Sequence, residues 1–254
     1  MSDLILETKG LTKVFNGFTA VDHVDLQVEK GHIHALIGPN GAGKTTFFNL
    51  LTKFLVPTSG TILYEGREIT SLKSNQIARQ GLVRSFQISA VFAHMTVLEN
   101  VRVALQRVEG NSFHFWVPES RLDKLNDRAM ALLEEVGLKS YATTLAVELP
   151  YGRKRALELA TTLALEPTVM LLDEPTQGMG AEDVDAVVEL IRRAAVGRTI
   201  LMVEHNLSVV SRLCDRLTVL ARGAVLAEGD YATVSANPLV REAYMGKETE
   251  EECA

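Results

Sequence analysis

Residues 32–54, HIHALIGPNGAGKTTFFNLLTKF, contain the change of pattern on which the fold turns. Residues 32–37 form a short apolar run of β type. After Gly38 the run KTTFFNLLTKF takes on helical period, until Pro57-Thr58-Ser59-Gly60 stops it ahead of a further strand expected at 61–65. Between strand and helix stands GPNGAGKT, Gly38 to Thr45, which satisfies G-x-x-x-x-G-K-[S/T] at every fixed position. The context matters as much as the match. Gly41 and Gly43 let the backbone curl so that successive N–H groups point inward and, with the helix N-terminus behind them, cradle β- and γ-phosphates. Lys44 adds a point charge, and the Thr45 hydroxyl suits Mg²⁺. Gly38, Pro39, Asn40, Gly41, Ala42, Gly43, Lys44, Thr45 and Thr46 are therefore the candidate nucleotide-binding residues.

By itself this loop is shared by kinases, GTPases, helicases and ABC ATPases. The chain contains no Asn-Lys-x-Asp motif for reading guanine, which favours ATP over GTP. Upstream, 3–9 and 19–29 read as strands, the second alternating Val24, Leu26 and Val28 with polar neighbours before Lys30-Gly31 turns it. From about 88 to 165 strand signals fade. Residues 119–136 place Leu122, Leu125, Ala129, Leu132, Leu133 and Val136 along one helical face, with Gly137 as C-cap. Beyond lie the strand VMLLDEP, a helix near 183–195, the strand RTILMVEH, a short helix at 207–213 and the strand RLTVLARG. Such alternation belongs to an α/β protein with a parallel sheet.

Bulk properties exclude other classes. With 254 residues, 46% hydrophobic and 23% charged, the chain can bury one substantial core, and its net charge of −6 offers no basic excess for nucleic acid or anionic lipid. No apolar stretch is long enough to span a bilayer, and MSDLILETKG lacks the pattern of a signal peptide. Cys214 and Cys253 are too few and too far apart for a disulfide framework or zinc site, and KETEEE at 247–252 reads as a frayed acidic tail.

A second site signal lies in Val169-Met170-Leu171-Leu172-Asp173-Glu174-Pro175, where an apolar strand delivers adjacent carboxylates to its C-terminal end. Asp173 is the candidate metal ligand, and Glu174 is placed to orient and deprotonate an attacking water. With these residues the chain resembles the ABC ATPase family over roughly 4–246. Gln87 in RSFQ is similar to the family's Q-loop glutamine, a metal ligand that reports nucleotide state. His205 in ILMVEH resembles its switch histidine, which contacts the γ-phosphate. Phe15 occupies the place of the adenine-stacking aromatic, with Phe18 nearby and a core role for either ring as alternatives. The signature motif stands as Leu149-Pro150-Tyr151-Gly152-Arg153 against a family pattern of Leu-Ser-Gly-Gly-Gln, and Gly180 stands where the D-loop usually has aspartate.

The resemblance implies a single ABC ATPase domain over 1–254. Within it, 4–87 and 166–246 form a RecA-like parallel-sheet core with an N-terminal antiparallel β subdomain, and 88–165 form a helical subdomain. It implies ATP and Mg²⁺ as ligands, with Thr45, Gln87 and Asp173 on the metal. It also implies a head-to-tail pair with a second ATPase subunit, to which this chain lends Tyr151 and Gly152. Two permease subunits hold such a pair at the cytoplasmic face of a bacterial inner membrane, a substrate-binding protein acts indirectly, and no nucleic acid takes part. Residues 89–94, with Val91 and Phe92, are expected to dock a permease helix or else to pack into the helical insert. LPYG, the GMG at 178–180 and NPLVREAYMG resemble the branched-chain amino-acid importers. The rivals are an ABC ATPase for another substrate or for lipid export, and a soluble ABC machine without a permease.

Overall fold

The computed structural model describes residues 3–85, 91–108 and 123–245. Strands β1 (Leu4–Phe15) and β2 (Phe18–Glu29) form a hairpin, followed by β3 (Ile33–Ile37), α1 (Lys44–Leu51), β4 (Ser59–Tyr64) and β5 (Arg67–Glu68). Next come α2 (Ser74–Arg79), β6 (Leu82–Ser85), α3 (Val97–Val108), α4 (Asn126–Glu135) and α5 (Tyr151–Leu163). The remainder is β7 (Val169–Asp173), α6 (Ala181–Ala194), β8 (Thr199–Val203), α7 (Leu207–Leu213), β9 (Arg216–Ala221), β10 (Ala224–Gly229), α8 (Tyr231–Ala236) and α9 (Pro238–Met245).

Two sheets result. One is antiparallel in the order β2-β1-β4-β5, and the other runs β10-β9-β3-β8-β7-β6, parallel from β9 to β6 with β10 as an antiparallel edge. The central strands β3, β7 and β8 are buried at every residue, as a parallel sheet covered on both faces requires. Their period-two alternation divides the core. Leu36, Leu171, Leu201 and Val203 meet α1 and the antiparallel sheet, whereas Ile37, Met170, Leu172 and Met202 meet the helices from α3 to α7.

β1 runs to Phe15 rather than ending at residue 9, because it continues pairing with β2 through register shifts on either side of Leu11. Asn16 and Gly17, both at positive φ, close the hairpin. β6 and β10, absent from the sequence expectation, are short edge strands whose partners rather than their own periodicity define them. The expected helical insert contains α3, α4 and α5, and an isolated bridge between Thr96 and Leu145 is the one strand-like contact among its described residues. The face that begins at Leu122 is described from residue 123 onward. Leu125, Ala129, Leu133 and Val136 are buried there. Gly137 at φ 74 follows the cap residue Val136, and Leu138 N–H donates to Leu133 C=O at 2.6 Å, which closes a Schellman turn.

Candidate active site

The parallel sheet brings three loops together at the C-terminal ends of its central strands, where open α/β sheets place their ligands. Glu174 N–H donates to Val203 C=O at 3.0 Å, and Glu204 N–H donates to Leu36 C=O at 3.4 Å. The ends of β7, β8 and β3 are thus joined through the backbone.

The phosphate loop starts directly from β3. Gly38 lies so near β9 that a Cβ would collide with the Leu220 carbonyl oxygen, and a Cβ on Gly43 would collide with that of Ala20. Both positions are closed to any side chain. Gly223 N–H donates to Ala42 C=O at 3.0 Å and Asp22 N–H donates to Gly223 C=O at 2.8 Å, so β2 and the β9–β10 turn brace the loop from outside. Lys44 Nζ donates to the carbonyl oxygens of Gly38 at 2.5 Å and Pro39 at 3.0 Å, which holds the ammonium inside the curl. Thr45, in the first turn of α1, is exposed, and Thr46 is half-buried.

The adjacent acids after β7 have different settings. Asp173 is buried and pairs with the guanidinium of Arg84 on β6, which also donates to Asn49 Oδ1 at 2.7 Å. Glu174 is half-buried and takes φ 45, the left-handed region that L-residues rarely adopt. The chain turns sharply there, so successive carboxylates face different surroundings. The His205 side chain is 55% exposed, with Nδ1 4.0 Å from Glu204 Oε2. Gln87 and residues 89 and 90 lie outside the described residues. Of the two apolar residues expected on the docking surface, Val91 packs against the helical core and Phe92 is 53% exposed.

Phe15 and Phe18 face each other across the hairpin turn, 40% and 68% exposed, which removes the core role as an alternative for either. Lys13 Nζ lies 5.0 Å from the centre of the Phe15 ring. The signature residues open α5, with Pro150 as N-cap, no side-chain cap bond, and Pro150 C=O accepting from Lys154 N–H at 3.0 Å. Tyr151 Oη donates to Gln177 C=O at 3.2 Å and accepts from Arg155 at 3.0 Å, tying the helix start to the loop after β7. Gly180 is the N-cap of α6, where an aspartate side chain would otherwise cap the helix.

Sequence reasoning singled out neither Arg84 nor Glu204. Arg84 lies three residues before Gln87 in the run quoted for the resemblance, and Glu204 directly precedes His205. Adjacency to a candidate residue was the only available signal.

A fold of this topology carrying a phosphate-loop motif, a strand-end acid pair and His205 after the neighbouring strand at one end of the sheet defines a nucleotide hydrolase of the P-loop class. The chain belongs to the ABC transporter ATP-binding family, whose description matches residues 21–177. A further family, described as branched-chain amino acid ATP-binding cassette transporter, matches residues 224–250. The chain is 40% identical to the high-affinity branched-chain amino acid transport ATP-binding protein BraF of Pseudomonas aeruginosa, over 97% of this chain and 100% of that protein. Identity and coverage are the same for LivG of Escherichia coli K12, which carries the same description. A crystal structure of the ADP conformation of an ATP-binding cassette of an ABC transporter superposes with a TM-score of 0.84 at 30% identity, covering 96% of this chain and 99% of that one.

Proposed function

We propose that this ABC ATPase powers import of branched-chain amino acids, with Glu174 as general base and His205 as the γ-phosphate contact. The observation that carries the catalytic reading is the separation of the two acids: Asp173 is buried on a guanidinium, while Glu174 is turned out of the strand at positive φ. The substrate reading rests on full-length similarity to BraF and LivG and on the match at 224–250.

The loop from Gly38 to Thr46 binds the phosphates of ATP through backbone N–H groups and Lys44, and Phe15, with an exposed ring beside a cation, is the adenine platform. Mg²⁺, when bound, supplies positive charge against the phosphates. The Thr45 hydroxyl, Asp173 and Gln87 are oxygen donors of the type it takes. Glu174 accepts the proton of the attacking water, and His205 steadies the charge that develops on the γ-phosphate.

A second ATPase subunit covers this site with its signature helix, and Tyr151 and Gly152 here cover the partner's. Among the described residues no helix is long and apolar enough to cross a membrane. Attachment to the cytoplasmic face of a bacterial inner membrane is assigned to two permease subunits, which meet the surface around the exposed Phe92 and receive substrate from a binding protein. The same reading keeps 4–87 and 166–246 as the core and 88–165 as the helical subdomain that carries this docking surface. The test is uptake of radiolabelled leucine, isoleucine and valine by a strain lacking this chain. Restoration by the intact chain and not by Glu174→Gln is expected, and unchanged uptake of all three on deletion overturns the substrate reading.

A further inference from the structure

Two loops of the site converge on one carboxylate that no sequence motif marks. Glu204 is 0% exposed. Its Oε1 accepts the backbone N–H of Thr176 at 3.1 Å and the Thr176 hydroxyl at 2.5 Å. Its Oε2 accepts the backbone N–H groups of His205 at 3.0 Å and Asn206 at 3.1 Å. Each oxygen therefore serves one loop. Thr176 stands two residues beyond Glu174 in the turn after β7, and His205 and Asn206 open the segment after β8.

The partners of Glu204 are amide and hydroxyl dipoles, and a buried carboxylate is tolerated only when its acceptor sites are filled in this way. The carboxylate is planar and rigid, so the separation of its oxygens sets the spacing of the loops that donate to it. Further bonds anchor both loops. Gln177 N–H donates to Glu174 C=O at 3.1 Å, and Asn206 Oδ1 accepts from Ser208 N–H at 3.0 Å and Val209 N–H at 3.3 Å, capping α7. Glu174 itself needs such support, because φ 45 persists in a non-glycine residue only where the surroundings over-determine it.

We infer that Glu204 is a positioning residue for ATP hydrolysis, a buried brace that fixes the turn carrying Glu174 against the switch loop carrying His205. The inference rests on the proposed roles of Glu174 and His205. Glu204 is fully buried and acts through the backbone of both loops. Its effect falls on the chemical step, where misplacement of a catalytic group by about 1 Å costs roughly 100-fold, and only weakly on ATP binding, which the phosphate loop controls from β3.

The test is Glu204→Gln, which keeps shape and volume but faces one loop with an amide NH₂ in place of an acceptor. ATP binding is measured by equilibrium dialysis on the purified full chain, and turnover in the membrane complex that contains it. We expect turnover to fall about 10- to 100-fold with ATP affinity changed less than about 3-fold. Combined with Glu174→Gln, the Glu204 change should lower the residual turnover no further, because its route of action is already lost. Thr176→Val removes only the hydroxyl donor and should give a smaller loss of the same kind; it carries the test if Glu204→Gln does not fold. Turnover within about 3-fold of the parent, equal losses in affinity and turnover, or additive losses in the double variant overturn the brace. If Glu174→Gln itself leaves turnover intact, the failure lies in the reading of the general base. If that variant is inactive and Glu204→Gln is not, only the brace fails.

Discussion

The phosphate loop and the N-terminus of α5 both aim backbone N–H groups outward from a helix start, yet the chain builds them by opposite means. The loop is pressed between strands, with Gly38 against Leu220, Gly43 against Ala20, and Ala42 held by Gly223. The α5 start has a proline N-cap without a side-chain bond and a half-exposed Tyr151, whose hydroxyl bonds to Gln177 C=O and Arg155 and whose ring lies under the Arg155 guanidinium. A side chain at Gly38 or Gly43 collides with backbone, while substitution at 150 or 180 meets open surface. The two faces thus differ in tolerance, and both departures from the family pattern, Pro150 and Gly180, fall on the tolerant one. On the proposed pairing with a different ATPase that carries an ordinary serine-bearing signature, the site on this chain's phosphate loop is expected to be complete and the partner's to be covered by the altered face.

The largest expected effect tests that asymmetry at its centre. Glu174→Gln in this chain should lower ATP turnover of the assembled transporter by roughly 100-fold or more, since it removes the proton acceptor and leaves the cradle. The corresponding change in the partner subunit should cost clearly less. Equal losses in steady-state hydrolysis, or an assembly with two copies of this chain, would break the comparison.

Lys44→Ala attacks the rigid face directly. Loss of a charged donor at a phosphate is worth about 1.5–3 kcal/mol, so ATP affinity measured by fluorescent-nucleotide displacement should weaken about 10- to 100-fold. Loss of turnover without loss of affinity would contradict the assignment of the cradle. The tolerant face offers a gain instead of a loss. Pro150→Ser supplies a hydroxyl at the N-cap, and turnover at the partner's site, isolated by Glu174→Gln in this chain, should rise about 5-fold, the equivalent of about 1 kcal/mol. No change would show that Tyr151 and the helix dipole already compensate.

A final contrast concerns pH and the strand beneath the loop. Burial, then the charges of Arg216 and His32, lower the pKa of His34 on β3 from 6.5 to about 4, while its Nε2 lies 2.8 Å from Thr218 Oγ1. Because the folded value is the lower one, the neutral form stabilises the fold above pH 6.5, and that stability is lost as pH falls from 6.5 toward 4. The full loss is roughly 3 kcal/mol. Urea denaturation at pH 7.5 and pH 5 should show a clear decrease for the parent chain and a smaller one for His34→Gln. Parallel behaviour of the two would assign the decrease to other groups.

What the residues declare by themselves is the local chemistry. Gly38 to Thr45 between strand and helix, Asp173-Glu174 at a strand end, and His205 after another apolar strand follow from neighbours in sequence, because a phosphate cradle and a strand terminus are each built within about ten residues. The short strand β6 had no periodicity to announce it, and the extension of β1 beyond Lys9 depended on pairing with β2. In the site, Asp173 and Glu174 are neighbours whose order suggested separate duties, but only packing puts Arg84 on the first and turns the second to positive φ. The same limit hid Glu204. Beside His205 it reads as an ordinary polar residue at the end of a strand, and its meaning depends on Thr176, 28 residues away in sequence. Pattern decides which backbone turns can form, because sterics act between neighbours. Tertiary structure decides which charges are gripped and which are left to react, because burial and hydrogen bonding depend on groups that the fold alone brings within 3 Å, as Arg84 to Asn49 and Thr176 to Glu204.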